Sequence, residues 1–170
     1  LGLVQVSLGN LDLATKHLAK AISLGENDGS TFIALGYCHL SLGRLVSAEN
    51  AYRMGILLLP DSKDARNGLV NCFLYTERFP EALALLDELL LKDPQDTFCH
   101  RARAEVLQAL NKEKKAVVAL ETLKRMGKLK LSDYMVLGDL YHNLELYDQS
   151  LQTYEEAIKG KERLPLRSYV

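Results

Sequence analysis

The sequence repeats itself with a gapless period of 34, and that period limits the fold more than any other feature. Gly2, Gly36, Val70, Ala104 and Gly138 are successive steps, as are Ala14, Ala48, Ala82, Ala116 and Ser150. Leu18, Tyr52, Leu86, Leu120 and Tyr154 form a third series, and Ala21, Gly55, Leu89, Leu123 and Ala157 a fourth. A fixed period of this kind marks a stack of one supersecondary unit. Within each period, apolar residues recur at spacings of three and four, the helical signature, whereas the alternation of a strand is rare. Each unit therefore reads as two helices. Small residues at two fixed points let them approach closely, and Leu or Tyr at the neighbouring points fills the space between them.

The turns fit this reading. Gly9, Gly43, Glu77, Asn111 and Glu145 lie between the two helices of successive units. Gly and Asn tolerate the left-handed backbone that ends a helix. Pro60 and Pro94 are placed to stop the second helix. Pro80, in "RFPEAL", fits the first turn of a second helix, where its missing N–H costs nothing.

The pattern resembles the tetratricopeptide repeat family, whose unit has Gly or Ala at position 8, Ala at 20, an aromatic or Leu at 24, Ala at 27 and Pro at 32. The clearest copy is "STFIALGYCHLSLGRLVSAENAYRMGILLLPDS", residues 30–62, followed by "KDARNGLVNCFLYTERFPEALALLDELLLKDPQD", 63–96. The resemblance implies an all-α fold, a right-handed superhelical solenoid of antiparallel helix hairpins. The repeats would run 1–28, 29–62, 63–96, 97–130 and 131–164, and 165–170 would start a further helix or form a tail. Leu replaces the small residue of position 27 in the third and fourth repeats. Arg103 stands at position 7 of the fourth repeat, and Lys128 takes the place of the usual proline. The fourth repeat is therefore expected to pack less tightly.

Two Cys-His dipeptides, Cys38-His39 and Cys99-His100, invite a metal-site reading. The register argues for packing instead. Cys38 and Cys72 share position 10 and Cys99 takes position 3, both small semi-buried places, and free Cys behaves as a small hydrophobe. Adjacent helical residues also point about 100° apart, so a Cys-His dipeptide chelates poorly. Asp139 and His142, three apart, read as a solvated face. No metal and no cofactor is expected. No phosphate-cradling glycine loop, HExxH, GxSxG or CxxC is present, so no catalytic residue is assigned and the chain reads as a non-enzyme.

Charge narrows the partners. The 21 basic and 22 acidic residues leave a net charge of −1, without the basic excess that nucleic-acid binding draws on. No apolar run approaches a membrane span. Three cysteines are not a disulfide framework and favour a reducing, cytoplasmic setting. The chain opens at Leu1 in mid-helix, and "RLPLRSYV" at its end reads like another repeat beginning. An excerpt from a longer array, or an end covered by another chain or segment, is the expectation, since solenoids need polar end caps.

The resemblance also places a binding surface. In the family, positions 2, 5, 9, 12 and 13 of the first helices line a concave groove. Here the expected groove residues are Ile33, Tyr37, Asn67, Asn71, Tyr75, Arg101, Glu105, Met135, Asp139 and His142, with Leu40 and Asp64 beside them. Asn67 and Asn71 are four apart and share one helical face. An Asn amide both donates and accepts, so it can hold an extended backbone without reading its sequence. The Lys-Asn-Asn-Lys-Arg clamp of chaperone-tail binders is not met, because Ala102, Ser132 and Val136 occupy three of its places. On the outer side, Met54, Leu57, Ala84, Leu91 and Val118 stand where charged residues are usual, a candidate association patch. The expected function is a protein-protein interaction scaffold holding a peptide or helix of a partner in the groove. A self-associating assembly element and the substrate-recruiting arm of a larger enzyme are the alternatives.

Overall fold

The computed structural model describes residues 1–162; the tail expected at 165–170 lies outside them. The described chain is all helix and turn. In order the helices are α1 (Gly2–Ser7), α2 (Leu11–Ser23), α3 (Gly29–Ser41), α4 (Leu45–Leu58), α5 (Lys63–Tyr75), α6 (Phe79–Lys92), α7 (Thr97–Ala109), α8 (Glu113–Arg125), α9 (Leu131–Asn143) and α10 (Tyr147–Glu162). Their starts carry the sequence period. Gly29, Lys63, Thr97 and Leu131 are 34 apart, and so are Leu11, Leu45, Phe79, Glu113 and Tyr147. The helices gather into two compact units, Leu1–Ala82 and Leu83–Val170, which divide within α6.

One turn recurs five times. Gly9, Gly43, Glu77, Asn111 and Glu145 all have positive φ, between 55° and 75°. At each, the residue's own N–H and that of the next residue bond back to carbonyls of the preceding helix. Glu77 donates to Leu74 at 3.1 Å and Arg78 to Phe73 at 2.9 Å; Asn111 donates to Gln108 and Lys112 to Leu107, both at 2.8 Å. This is the Schellman arrangement, which satisfies carbonyls that the helix end would otherwise orphan. Side chains close some N-termini: Ser62 accepts from the Ala65 N–H and Asp96 from the Cys99 N–H.

The core of the first unit includes Ala14, Leu18, Leu35, Cys38 and Ala51, with Ala34 packed against it. Tyr52 is buried beside them, its ring between two glycines. A Cβ on Gly36 would lie 2.9 Å from ring atom Cδ1, and one on Gly68 2.7 Å from Cε2. The aromatic ring thus occupies volume that two side chains have vacated. Tyr154 repeats half of this device against Gly138, while Ser150, buried where other repeats have Ala, donates to the Gly138 carbonyl at 2.9 Å.

The core of the second unit includes Ala104, Leu107, Ala116, Ala119, Leu120, Leu123, Leu137 and Leu140. The loose packing expected around α7 and α8 is not found, since Ala116 and Leu123 are wholly buried. Leu123 fills the place of a small residue without displacing the hairpin, and Arg103 turns outward to Asp87, Nε to Oδ1 at 2.7 Å. Cys38, Cys72 and Cys99 are all buried, and none of them is in a disulfide. Burial pushes the pKa of the Cys72 thiol up to about 11, helped by the nearby Glu49 charge, and raises that of Cys38 against the opposing effect of its hydrogen bond with Thr15.

Candidate interaction groove

The first unit holds a groove of about 700 Å³ whose lining comes largely from α3 and α5, elements that pack on each other. Helical spacing puts Ile33, Tyr37 and Leu40 on one stripe of α3, and Asp64, Asn67, Asn71 and Tyr75 on one stripe of α5, all in the lining. Tyr52 and Gly68 lie beneath, and Ser30, Ser62 and Leu59 close one end. The period explains the match between the stripes. Ile33 and Asn67, Tyr37 and Asn71, and Ser41 and Tyr75 each stand one period apart.

Several polar groups of this lining are open. Among the described residues, the side chains of Asp64, Asn67 and Asn71 make no hydrogen bond or ion pair, and neither do the hydroxyls of Tyr37 and Tyr75. Tyr37 is 50% and Tyr75 68% exposed. Burial raises the Tyr52 hydroxyl above the ordinary tyrosine range, with smaller contributions from neighbours that include Tyr37 and Asp64. That hydroxyl is a neutral hydrogen-bonding group at any physiological pH.

In the second unit, several corresponding side chains are occupied within the chain. Arg101, expected in the groove, grips Asp133: its Nε lies 2.9 Å from both carboxylate oxygens and its Nη2 2.8 Å from Oδ2. Asp133 is buried and also accepts from the Lys130 N–H at 2.9 Å. Desolvation opposes its charge, but the Arg101 and Lys130 hydrogen bonds outweigh it and hold the carboxyl below its ordinary value. Asp139 accepts from the Tyr154 hydroxyl at 2.5 Å, and His142 meets the Tyr147 ring edge-on at 5.5 Å. Glu105 is exposed, and Met135 lies in an apolar depression with Leu131, Tyr154, Ala157 and Ile158.

The residues of the expected association patch are each exposed: Met54 and Leu57 on α4, Ala84 and Leu91 on α6, and Val118 on α8. The sequence reading missed the groove floor. Tyr52 of one hairpin meets Gly68 of the next, and the equivalent pairs are Leu18 with Ala34, Leu86 with Ala102 and Leu120 with Val136. The aromatic residue coincides with the smallest partner, a correlation visible in the sequence once contact is suspected.

Among the described residues, no group of three or more His, Cys, Asp or Glu could hold a metal. No described helix is long and apolar enough to cross a membrane.

Comparison with known proteins agrees with this architecture. Tetratricopeptide repeat patterns match residues 56–106 and 134–160. Cell division cycle protein 27 homolog B of Arabidopsis thaliana is 22% identical over 132 residues, 78% of this chain and 18% of that protein. The chain thus spans less than a fifth of that relative's length. Among solved structures, MamA superposes with a TM-score of 0.88 at 18% identity, covering 96% of this chain and 95% of that one. MamA from Desulfovibrio magneticus RS-1 gives 0.87 at 13% identity over 96% and 93% of the two chains. Pseudomonas aeruginosa pilF gives 0.79 at 20% identity over 94% and 72%. At these identities the structural likeness is one of fold.

Proposed function

We propose that this tetratricopeptide-repeat chain is a non-catalytic scaffold that holds an extended segment or helix of a protein partner between α3 and α5. The observation that carries the reading is the set of open polar groups in that groove, Asn67 and Asn71 above all, bordered by exposed Tyr37 and Tyr75. A protein that needed these groups for its own stability would have paired them, as it paired Arg101 with Asp133. Left open beside apolar surface, they are equipped to pair with an incoming backbone. The repeat units are taken as 1–28, 29–62, 63–96, 97–130 and 131–164, a division supported by helix starts that recur with the sequence period.

The test is a pull-down from native lysate with the wild type beside a variant carrying Asn67→Ala, Asn71→Ala and Tyr75→Ala. Loss of specific partners with unchanged helical circular dichroism is the expected result. Equal capture by both proteins would refute the groove. Self-association is a second reading, supported by the exposure of Leu57 and Leu91, 70% and 85%. Mass that rises with concentration in sedimentation equilibrium, and falls on Leu57→Glu and Leu91→Glu, would establish it.

A further inference from the structure

The groove lining has a direction. Asp64 sits at one end with Ser30, Ser62 and Leu59, and Tyr75 at the other with Tyr37 nearby. Asp64 is the one acidic or basic side chain among the described residues that line it, and no ion pair to it is found among the described residues. Asn67 and Asn71 lie on the same α5 stripe between the two ends. Asp64 and Tyr75 are eleven residues apart on one helix, roughly 16 Å at 1.5 Å per residue. An extended chain covers that distance in about five residues.

We propose, on the reading that this groove binds a partner, that it selects an extended segment with a basic residue and an apolar or aromatic residue about five positions apart. The basic side chain pairs with Asp64. The apolar one rests on Tyr37 and Tyr75. The Asn67 and Asn71 amides hold the backbone between them, which reads spacing without reading the intervening side chains. A lining with one carboxylate and no cation favours a basic partner and disfavours an acidic one. It therefore supplies a charge criterion that neutral amides and aromatic faces lack.

The experiment is display of random twelve-residue peptides on the full chain, with the Asn67→Ala, Asn71→Ala, Tyr75→Ala variant as counter-selection. Enriched peptides are then measured by fluorescence anisotropy against the wild type and Asp64→Asn. The expected result is enrichment of Lys or Arg about five positions from an aromatic or large aliphatic residue. Affinity should fall about fivefold in Asp64→Asn, the size of an exposed charge-assisted contact, and the difference should shrink in high salt. Peptides that need the asparagines but show no basic preference, and bind Asp64→Asn equally, would overturn this inference and leave the groove standing. Enrichment of acidic peptides would also overturn it. No enrichment over the triple variant would overturn the groove itself.

Discussion

Replacing Gly68 by alanine should destabilise the protein, although Gly68 lies inside a helix. Helix propensity alone favours Ala over Gly by about 1 kcal/mol. Against this, the new Cβ would fall within 3 Å of three Tyr52 ring atoms, Cζ, Cε1 and Cε2. Retreat is limited, because the ring already fills the space of the side chain that Gly36 on α3 lacks; a Cβ built there would lie 2.9 Å from Cδ1. Overpacking a filled site costs about 1–3 kcal/mol, occasionally more, and a ring held on two sides belongs in the upper part of that range. The expected net loss is about 1–2 kcal/mol, read as a lower urea midpoint at constant slope. The pair should then be rescued together. Tyr52→Leu with Gly68→Ala recreates the Leu-Ala combination of Leu18 with Ala34 and of Leu86 with Ala102. The double-mutant cycle should show a favourable coupling equal to the overpacking it relieves, about 2–3 kcal/mol. Gly68→Ala as stable as the wild type, or a cycle that is additive, would refute the packing argument.

Three further outcomes follow from the same physics. Glu77 has φ of 56°, which costs a non-glycine residue about 1–2 kcal/mol, partly offset by the greater unfolded-state freedom of glycine. Glu77→Gly should therefore raise stability by about 0.5–1 kcal/mol in thermal or urea unfolding. Asp133 has a depressed folded-state pKa, so its contribution is full above the unfolded value of about 3.9 and fades as pH falls through the folded one. Asp133→Asn should lose about 1–2 kcal/mol at pH 7, a figure reduced because Arg101 is partly exposed, and should show a flatter stability profile than the wild type below pH 4. The three buried thiols should react with Ellman's reagent only when the chain opens, so labelling should be slow in buffer and complete in guanidinium.

The hairpins were legible because their determinants are local and repeated. Left-handed turns at Gly43 and Asn111, the small residues at Ala48 and Ala82, and the stops at Pro60 and Pro94 each act within a few residues of the chain. The five-fold repetition separates them from chance. The α5 stripe that lines the candidate groove was legible for the same reason, since Asn67, Asn71 and Tyr75 follow directly from helical spacing. What escaped depends on contacts between helices of different hairpins. Arg101 reads as a free groove cation until Asp133, in the next hairpin, is seen buried against it. The role of Gly68 shows only once the Tyr52 ring is seen in the space it leaves. Leu89 and Leu123 read as misfits at a small-residue position, yet both are buried without opening the hairpin.

The account turns on which face of the chain meets its partner, and site-directed photocrosslinking tests that directly. Benzoylphenylalanine would replace Tyr75 in the groove in one protein and Leu91 on the outer face in another, both irradiated in native lysate. Adducts with a distinct partner at position 75, absent at position 91, are the predicted result. Adducts at position 91 with none at position 75 would contradict it and move the interaction to the outer face.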